Sequence, residues 1–313
     1  MKYEVVPYQS GFEDAWDACV GASRAPSLLF LRRFMEYHAD RFTDASVVVR
    51  HGLSIEAVFP AAIDGPGVAS HPGLTYGGLV CPATKSARVV LGVASAIADY
   101  YRSRDYRYID WSPIPRHYAD PPSDADLYAI FRLGGHLVGR SLTTVWPPSG
   151  PDPLPSKKSR NARSAERKGL ATSEVADPSR IHGLVSRHLL EKYERAPTHS
   201  VDELQLLKAR LDNAVRFVEV TDTGGVAAAG AVVFRSRSVD HIQYFASSAE
   251  GRALRAQDLL FSTLLNDARA RGAWMDFGVS TEDAGRTLNE GLLHFKEELG
   301  GQSAILDRYR IAL

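Results

Sequence analysis

Ala214–Ser280 reads AVRFVEVTDTGGVAAAGAVVFRSRSVDHIQYFASSAEGRALRAQDLLFSTLLNDARARGAWMDFGVS. Three segments, AVRFVEVTD, GVAAAGAVVFRSR and DHIQYFASS, carry β-branched and aromatic residues, and the turn-forming TDTGG joins the first two; they read as an antiparallel meander. RALRAQDLLFSTLLNDARARG then changes to helical spacing, and WMDFGVS returns to a strand. Beyond this stretch TLNEGLLHFKEELG reads as a helix ending at a Gly pair, and AILDRYRIAL as a last strand. On the other side KKSRNARSAERKGL and RIHGLVSRHLLEKYERA read as helices, and SVDELQLLKARL as a third whose Ser200 and Glu203 have capping-box spacing. Helices, three antiparallel strands, helix, strand, helix and strand describe one mixed sheet flanked by helices.

Upstream lies WPPSGPDPLPS, Trp146–Ser156, in which five prolines exclude helix and central strand. This places a linker at 147–156 between domains 1–146 and 157–313. The first half repeats the order in weaker form. EDAWDACVGA, RRFMEYHADRF, KSARVVLGVASAIADYYRSR and DADLYAIFRLGGHL have helical spacing, whereas ASVVVRHG, SIEAVFPAAID, YGGLV and YRYIDW read as strands.

With 313 residues the chain exceeds the usual size of one hydrophobic core, and Lys plus Arg balances Asp plus Glu at 37 each. Composition therefore selects neither nucleic acid nor membrane. Cys19 and Cys81 have no Cys or His neighbour at ligand spacing, so neither a disulfide framework nor a metal site is expected. Acidic residues fall where a signal peptide would be apolar, and no window approaches the roughly 20 apolar residues of a membrane span. A cytoplasmic location is the expectation.

The order of elements and the residues of GAVVFRSRSVDHIQYFASS, DFGVSTEDAGRTLNEGLLHFKEELGG and APTHSVDELQLLKARL resemble the FemAB-like branch of the GNAT acyltransferases, including members of bacterial surface-polysaccharide gene clusters. HPGLTYGGLV in the first half resembles it more loosely. The resemblance implies an α/β (α+β) chain of two GNAT-like domains, each a mixed, largely antiparallel sheet flanked by helices. It also implies a V-shaped opening between two central strands for an acyl donor, acyl-CoA or aminoacyl-tRNA, and a small-molecule amine acceptor. No covalently bound cofactor is implied.

One stretch departs from the acetyl-CoA pattern, in which successive glycine amides hold a pyrophosphate at a helix start. Here Ser247–Gln257 reads SSAEGRALRAQ, leaving Ser247, Gly251, Arg252 and Arg255 as the phosphate-binding candidates. The weakened loop keeps aminoacyl-tRNA as a donor, and so does the basic run of Lys157, Lys158, Arg160, Arg163, Arg167 and Lys168. That run also fits a solvated helix face and lacks aromatic residues for base stacking.

Asp276 ends a strand where ligands of open sheets bind, and a carboxylate there accepts a proton from an attacking amine. Asp276 is the first candidate base and Glu282 the second, although Thr281, Glu282 and Asp283 equally suit a turn capping the next helix. Period-two alternation sets His241, Gln243 and Phe245 against Ile242, Tyr244 and Ala246. His241 becomes an alternative base, Gln243 a substrate contact, and Tyr244 either a proton donor or a core residue.

Phe295-Lys296 matches the Phe-Lys of the resembled family, which implies that Lys296 contacts substrate and stabilises an oxyanion; by spacing alone it fits a solvated face. Thr198, His199, Ser280, Asn289 and Tyr76 complete the substrate-binding candidates, with His71 beside Tyr76 in the Gly-rich run. The expected activity is N-acyl transfer to an amine of a sugar, nucleotide-sugar or peptide-like acceptor. The alternatives are Fem-type aminoacyl transfer from tRNA and a non-catalytic GNAT-like binding module.

Overall fold

A computed structural model describes residues 2–72, 74–149 and 154–313. The chain divides into two compact units, each discontinuous in sequence. The first comprises residues 1–142, 281–288 and 305–313, the second residues 143–280 and 289–304.

In chain order the first unit contains β1 (Glu4–Pro7), α1 (Glu13–Gly21), α2 (Arg32–Met35), β2 (Val47–His51), β3 (Ser54–Phe59), β4 (Ala62–Asp64) and β5 (Gly67–Ala69). It continues through α3 (Ala87–Arg102), β6 (Tyr108–Trp111) and α4 (Ala125–Arg132) into β7 (His136–Trp146), whose last residues belong to the second unit. The second unit then holds α5 (Ser156–Arg167), β8 (Ala171–Val175), α6 (Ser179–Tyr193), α7 (Val201–Leu211), β9 (Val215–Thr221), β10 (Ala227–Arg235), β11 (Val239–Ser247), α8 (Ala249–Leu254), α9 (Ala256–Ala270) and β12 (Trp274–Val279). A small hairpin, β13 (Thr281–Glu282) with β14 (Thr287–Leu288), returns to the first unit. Helix α10 (Glu290–Glu297) belongs to the second, and β15 (Gln302–Ala312) ends in the first.

In the first unit β1, β2 and β3 form an antiparallel sheet. A mixed one contains the β4–β5 hairpin, β5 parallel to β6, and β6 antiparallel to β15. Val47, Phe59, Ile97, Ile109, Trp111 and Ile311 belong to its core, which the apolar stripe of α3 completes. In the second unit β8, β9, β10 and β11 are antiparallel, β11 is parallel to β12, and β12 is antiparallel to β7. The core there includes Ala231, Val233 and Ile242 from the strands and Leu260, Phe261 and Leu264 from α9. Both units are therefore mixed, largely antiparallel sheets with helices, as the order of elements implies.

Ser200 and Glu203 form the expected capping box at the start of α7. Three expectations change. RRFMEYHADRF yields only the single turn of α2 and a 3-10 turn at Glu36–His38. YGGLV contributes no strand beyond an isolated bridge between Val80 and Val58. TLNEGLLHF begins its helix three residues late, because Asn289 caps it with its side chain. The strands β1, β5, β7, β8, β13 and β14 lie outside the expected set. β7 is interrupted by Gly139 and polar residues, β8 is an edge strand with an exposed face, and β1 is four residues long. Of the linker expected at 147–156, residues 150–153 lie outside the described residues, and Leu154 is buried in the second unit's core.

Gly251 sits where α8 meets β10: a Cβ on it would lie 2.0 Å from the carbonyl oxygen of Ala228. Gly251→Val is expected to cost about 1–3 kcal/mol through forced separation of these elements. The readout is a lowered urea midpoint with an unchanged denaturant slope; an unchanged midpoint would show the contact to be dispensable.

Candidate active site

β11 and β12 run side by side only over Val239↔Trp274, Asp240↔Met275 and His241↔Asp276. β11 continues six residues beyond His241 and β12 three beyond Asp276 without pairing to each other. The two central strands therefore part at His241 and Asp276, producing the opening that the resemblance implies.

A bulge lies at the same place. Against β10, Val233 faces Ile242 but Val232 faces Tyr244, so Gln243 is an extra residue. Strict alternation along HIQYFAS is therefore broken, and the expected grouping of His241, Gln243 and Phe245 is corrected. Ile242 joins the core, with Phe245 packed against it, whereas His241 and Tyr244 come to share the opposite face.

Asp276 is fully buried. Its Oδ1 accepts hydrogen bonds from Thr143 Oγ1 at 2.7 Å and the Gly278 amide at 2.8 Å, and Oδ2 lies 3.4 Å from His241 Nδ1. Gly278 has φ of +76°, a conformation that glycine adopts without strain and that turns its amide back onto Asp276. His241 keeps 16% of its side chain exposed. Asp276, expected to be the base at the strand edge, is thus inside the fold holding the imidazole.

Lys296 is 1% exposed, which overturns the solvated-face reading. Its ammonium donates to the carbonyl oxygens of Gly278 (2.7 Å) and Val279 (2.9 Å) and to Ser280 Oγ (3.0 Å). These use all three N–H donors of the group. Burial pushes the amine down to about 8 and the negative charge of Asp276 opposes that shift. The expected direct contact of Lys296 with an oxyanion is therefore replaced by a clamp on the end of β12. Phe295 points into the core and stacks on Phe245, with ring centroids 5.6 Å apart.

The remaining candidates separate. Ser280 is buried beneath Lys296, and Asn289 caps α10 through Leu292 N while its amide donates to the Tyr193 hydroxyl. Glu282 is exposed in the β13–β14 hairpin and belongs to the first unit, so Asp276 and Glu282 do not share a unit. His199 is buried, its Nδ1 2.8 Å from the Tyr244 hydroxyl, while Thr198 is exposed. Tyr244 is thereby engaged with His199, a partnership that neither residue's sequence context signals. Gln243 is the half-buried bulge residue.

At the expected phosphate loop, the Gly251 amide already donates to Ser248 Oγ at 2.9 Å, and Arg252 donates to the Ser247 carbonyl oxygen at 2.8 Å. Gly251 thus serves close packing rather than an open amide cradle. Arg255, with φ of +69°, is the exposed joint between α8 and α9, and among the described residues its guanidinium makes no hydrogen bond or ion pair.

In the first unit, Tyr76 is buried with its hydroxyl 2.8 Å from Ser27 Oγ. His71 is buried against His38, ring centroids 5.4 Å apart.

Residues 156–296 match the family model described as an acetyltransferase (GNAT) domain. This segment is a GNAT domain. The whole chain resembles the crystal structure of FemX, with a TM-score of 0.71 at 13% identity over 99% of this chain and 97% of that one. A conserved protein of unknown function from Bacteroides thetaiotaomicron gives 0.60 at 11% identity over all of both chains. L-PGS from Bacillus licheniformis gives 0.54 at 14% identity over 82% of this chain and 80% of that one. At these identities the likeness is one of fold. No curated protein matches the chain. The GNAT domain contains the parted strands, the His241–Asp276 pair and Lys296, and among the described residues no helix is long and apolar enough to cross a membrane.

Burial, reinforced by His38, holds the His71 imidazole down at about 3 instead of the ordinary 6.5. The unfolded chain takes up a proton below pH 6.5 that the folded chain refuses until about pH 3. The associated stability is full above this window and drains as pH falls through it. His71→Asn, which tolerates the positive φ, is expected to flatten the fall of the thermal midpoint between pH 7 and pH 4. A slope equal to that of the unaltered protein would count against this origin.

Proposed function

We propose that this GNAT-type acyltransferase moves an acyl group from a thioester to an amine, with His241 as general base and Asp276 as the group that orients it. The observation that carries this reading is the His241–Asp276 contact at the point where β11 and β12 part. A primary amine must lose a proton to act as a nucleophile, and a partly exposed imidazole held at Nδ1 by a buried carboxylate has the chemistry to take that proton. The amine nitrogen attacks the acyl carbon, the carbon–sulfur bond breaks, and the thiolate leaves to be protonated. Backbone amides freed where the strands separate suit the developing oxyanion.

In this reading the second unit, residues 143–280 and 289–304, carries catalysis, and the first unit supports it or binds the acceptor. Acyl-CoA is the donor, and the acceptor is an amine on a sugar, a nucleotide-sugar or a peptide-like molecule of cell-envelope synthesis in the cytoplasm. Lys296 acts indirectly, by fixing the Gly278–Ser280 turn that supports Asp276.

His241→Ala is expected to lower kcat by about 100-fold or more, within the range of a lost general base. Asp276→Asn should also lower kcat, with little change in KM for the donor. The assay is thiol release from acetyl-CoA with a panel of amino sugars and small peptides, and thermal protection by CoA reports donor binding. Full activity in His241→Ala would sink the dyad. Silence with every acyl-CoA and no protection by CoA would sink the thioester donor.

A second reading, aminoacyl transfer from charged tRNA, is favoured by one feature of α5. Lys157, Arg160, Arg163 and Arg167 are exposed, form no ion pair among the described residues, and fall within one arc of the helix. Together with the occupied Gly251 amide, this suits a polyphosphate backbone better than a single pyrophosphate. Binding of tRNA that weakens steeply with salt, lost on changing Arg160 and Arg163 to Ala, would favour this donor over CoA.

A further inference from the structure

The first unit contains a half-enclosed cavity of about 320 Å³ between the loop after α1, the segment leading into α3, and the start of α4. Leu79, Val90 and Ile114 contribute an apolar wall. Two groups of opposite charge line the same cavity without pairing. Arg24 bonds only a carbonyl oxygen, that of Pro121 at 3.4 Å, and among the described residues it has no carboxylate partner. Asp126 forms no ion pair among the described residues and accepts from the Leu127 amide. The third charged lining group, Lys85, is already neutralised by Glu56 at 2.7 Å.

Charges left unpaired beside apolar walls raise the free energy of the empty site, and a ligand that supplies both complements offsets it. We propose that this cavity binds a small zwitterion with an apolar body, of the class of free α-amino acids with aliphatic side chains. The ligand's carboxylate faces Arg24, its ammonium faces Asp126, and its side chain lies against Val90 and Ile114. Arginine holds a carboxylate through two parallel N–H donors, and Asp126 accepts from the ammonium. A cavity near 320 Å³ lies at the lower end for small-molecule sites, which limits the ligand to on the order of ten heavy atoms. Burial has pushed the Asp126 carboxyl up to about 6, the direction expected of an acid lacking its cation.

The inference is read by binding, so it stands or falls independently of acyl transfer. Three ligands of nearly equal size separate the charges in calorimetric titration of the full chain: L-leucine, 4-methylpentanoate without the ammonium, and 3-methylbutylamine without the carboxylate. Leucine is expected to bind at one site about 10-fold or more tightly than either partial ligand, the effect of one charge-assisted hydrogen bond. Asp126→Asn should bring leucine down to the level of 4-methylpentanoate, Arg24→Met to the level of the amine, and Val90→Trp should remove all three. No saturable binding of leucine to the unaltered protein overturns the proposal. So does equal binding of the three ligands, or tighter binding of either partial one, and that comparison does not depend on any variant folding.

Discussion

Much of the second unit's central architecture depends on one buried ammonium. Lys296 places its charge against two backbone carbonyls and a serine at the end of β12, beyond the last residue paired with β11. A lone buried cation would be prohibitively costly; here it is satisfied by acceptors and balanced by Asp276 across the Gly278 turn. The same turn aims the Gly278 amide at Asp276, so one lysine on α10 sets the geometry of a carboxylate on a different element. Packing of Phe295 beside it, on Phe245 and Phe261, fixes the phase of the helix that delivers the ammonium.

The bulge at Gln243 complements this clamp. A regular β11 would turn Tyr244 toward the core and Phe245 out of it. The extra residue exchanges them, seating Phe245 against α9 and α10 and leaving Tyr244 to meet His199. A single insertion in register thus supplies the aromatic platform for the helix on one face and polar groups on the other.

These features differ in how far the sequence announces them. The meander β9–β10–β11 and helices α7 and α9 are legible because alternation, a turn-rich joint and a capping box are local signals. Asp276 is legible as the end of a strand. The bulge is not, since no glycine or proline marks Gln243 and its effect exists only relative to β10. Burial of Lys296 is hidden too: periodicity gives a helix its faces but not which face is covered, and a lysine biases that choice the wrong way. The separation of Glu282 from Asp276 is not legible, because the chain leaves the second unit immediately after Ser280 with no local signal. β8 is not legible because an edge strand needs no apolar alternation, nor is the His38–His71 contact, which joins distant parts of the chain.

Connectivity gives the first unit a particular history during synthesis. β6 carries Ile109 into its core, yet its antiparallel neighbour, with Ile311, is β15, and Arg310 reaches back 200 residues to Asp110. That edge of the sheet stays open while the intervening residues, from β6 to β15, are made, and loop closure over such a distance is slow. Residues around Asp110 therefore wait about 200 positions of synthesis for the strand that completes their pairing. A nascent chain in this state carries an unpaired strand edge, the kind of surface on which chaperones and misassembly compete.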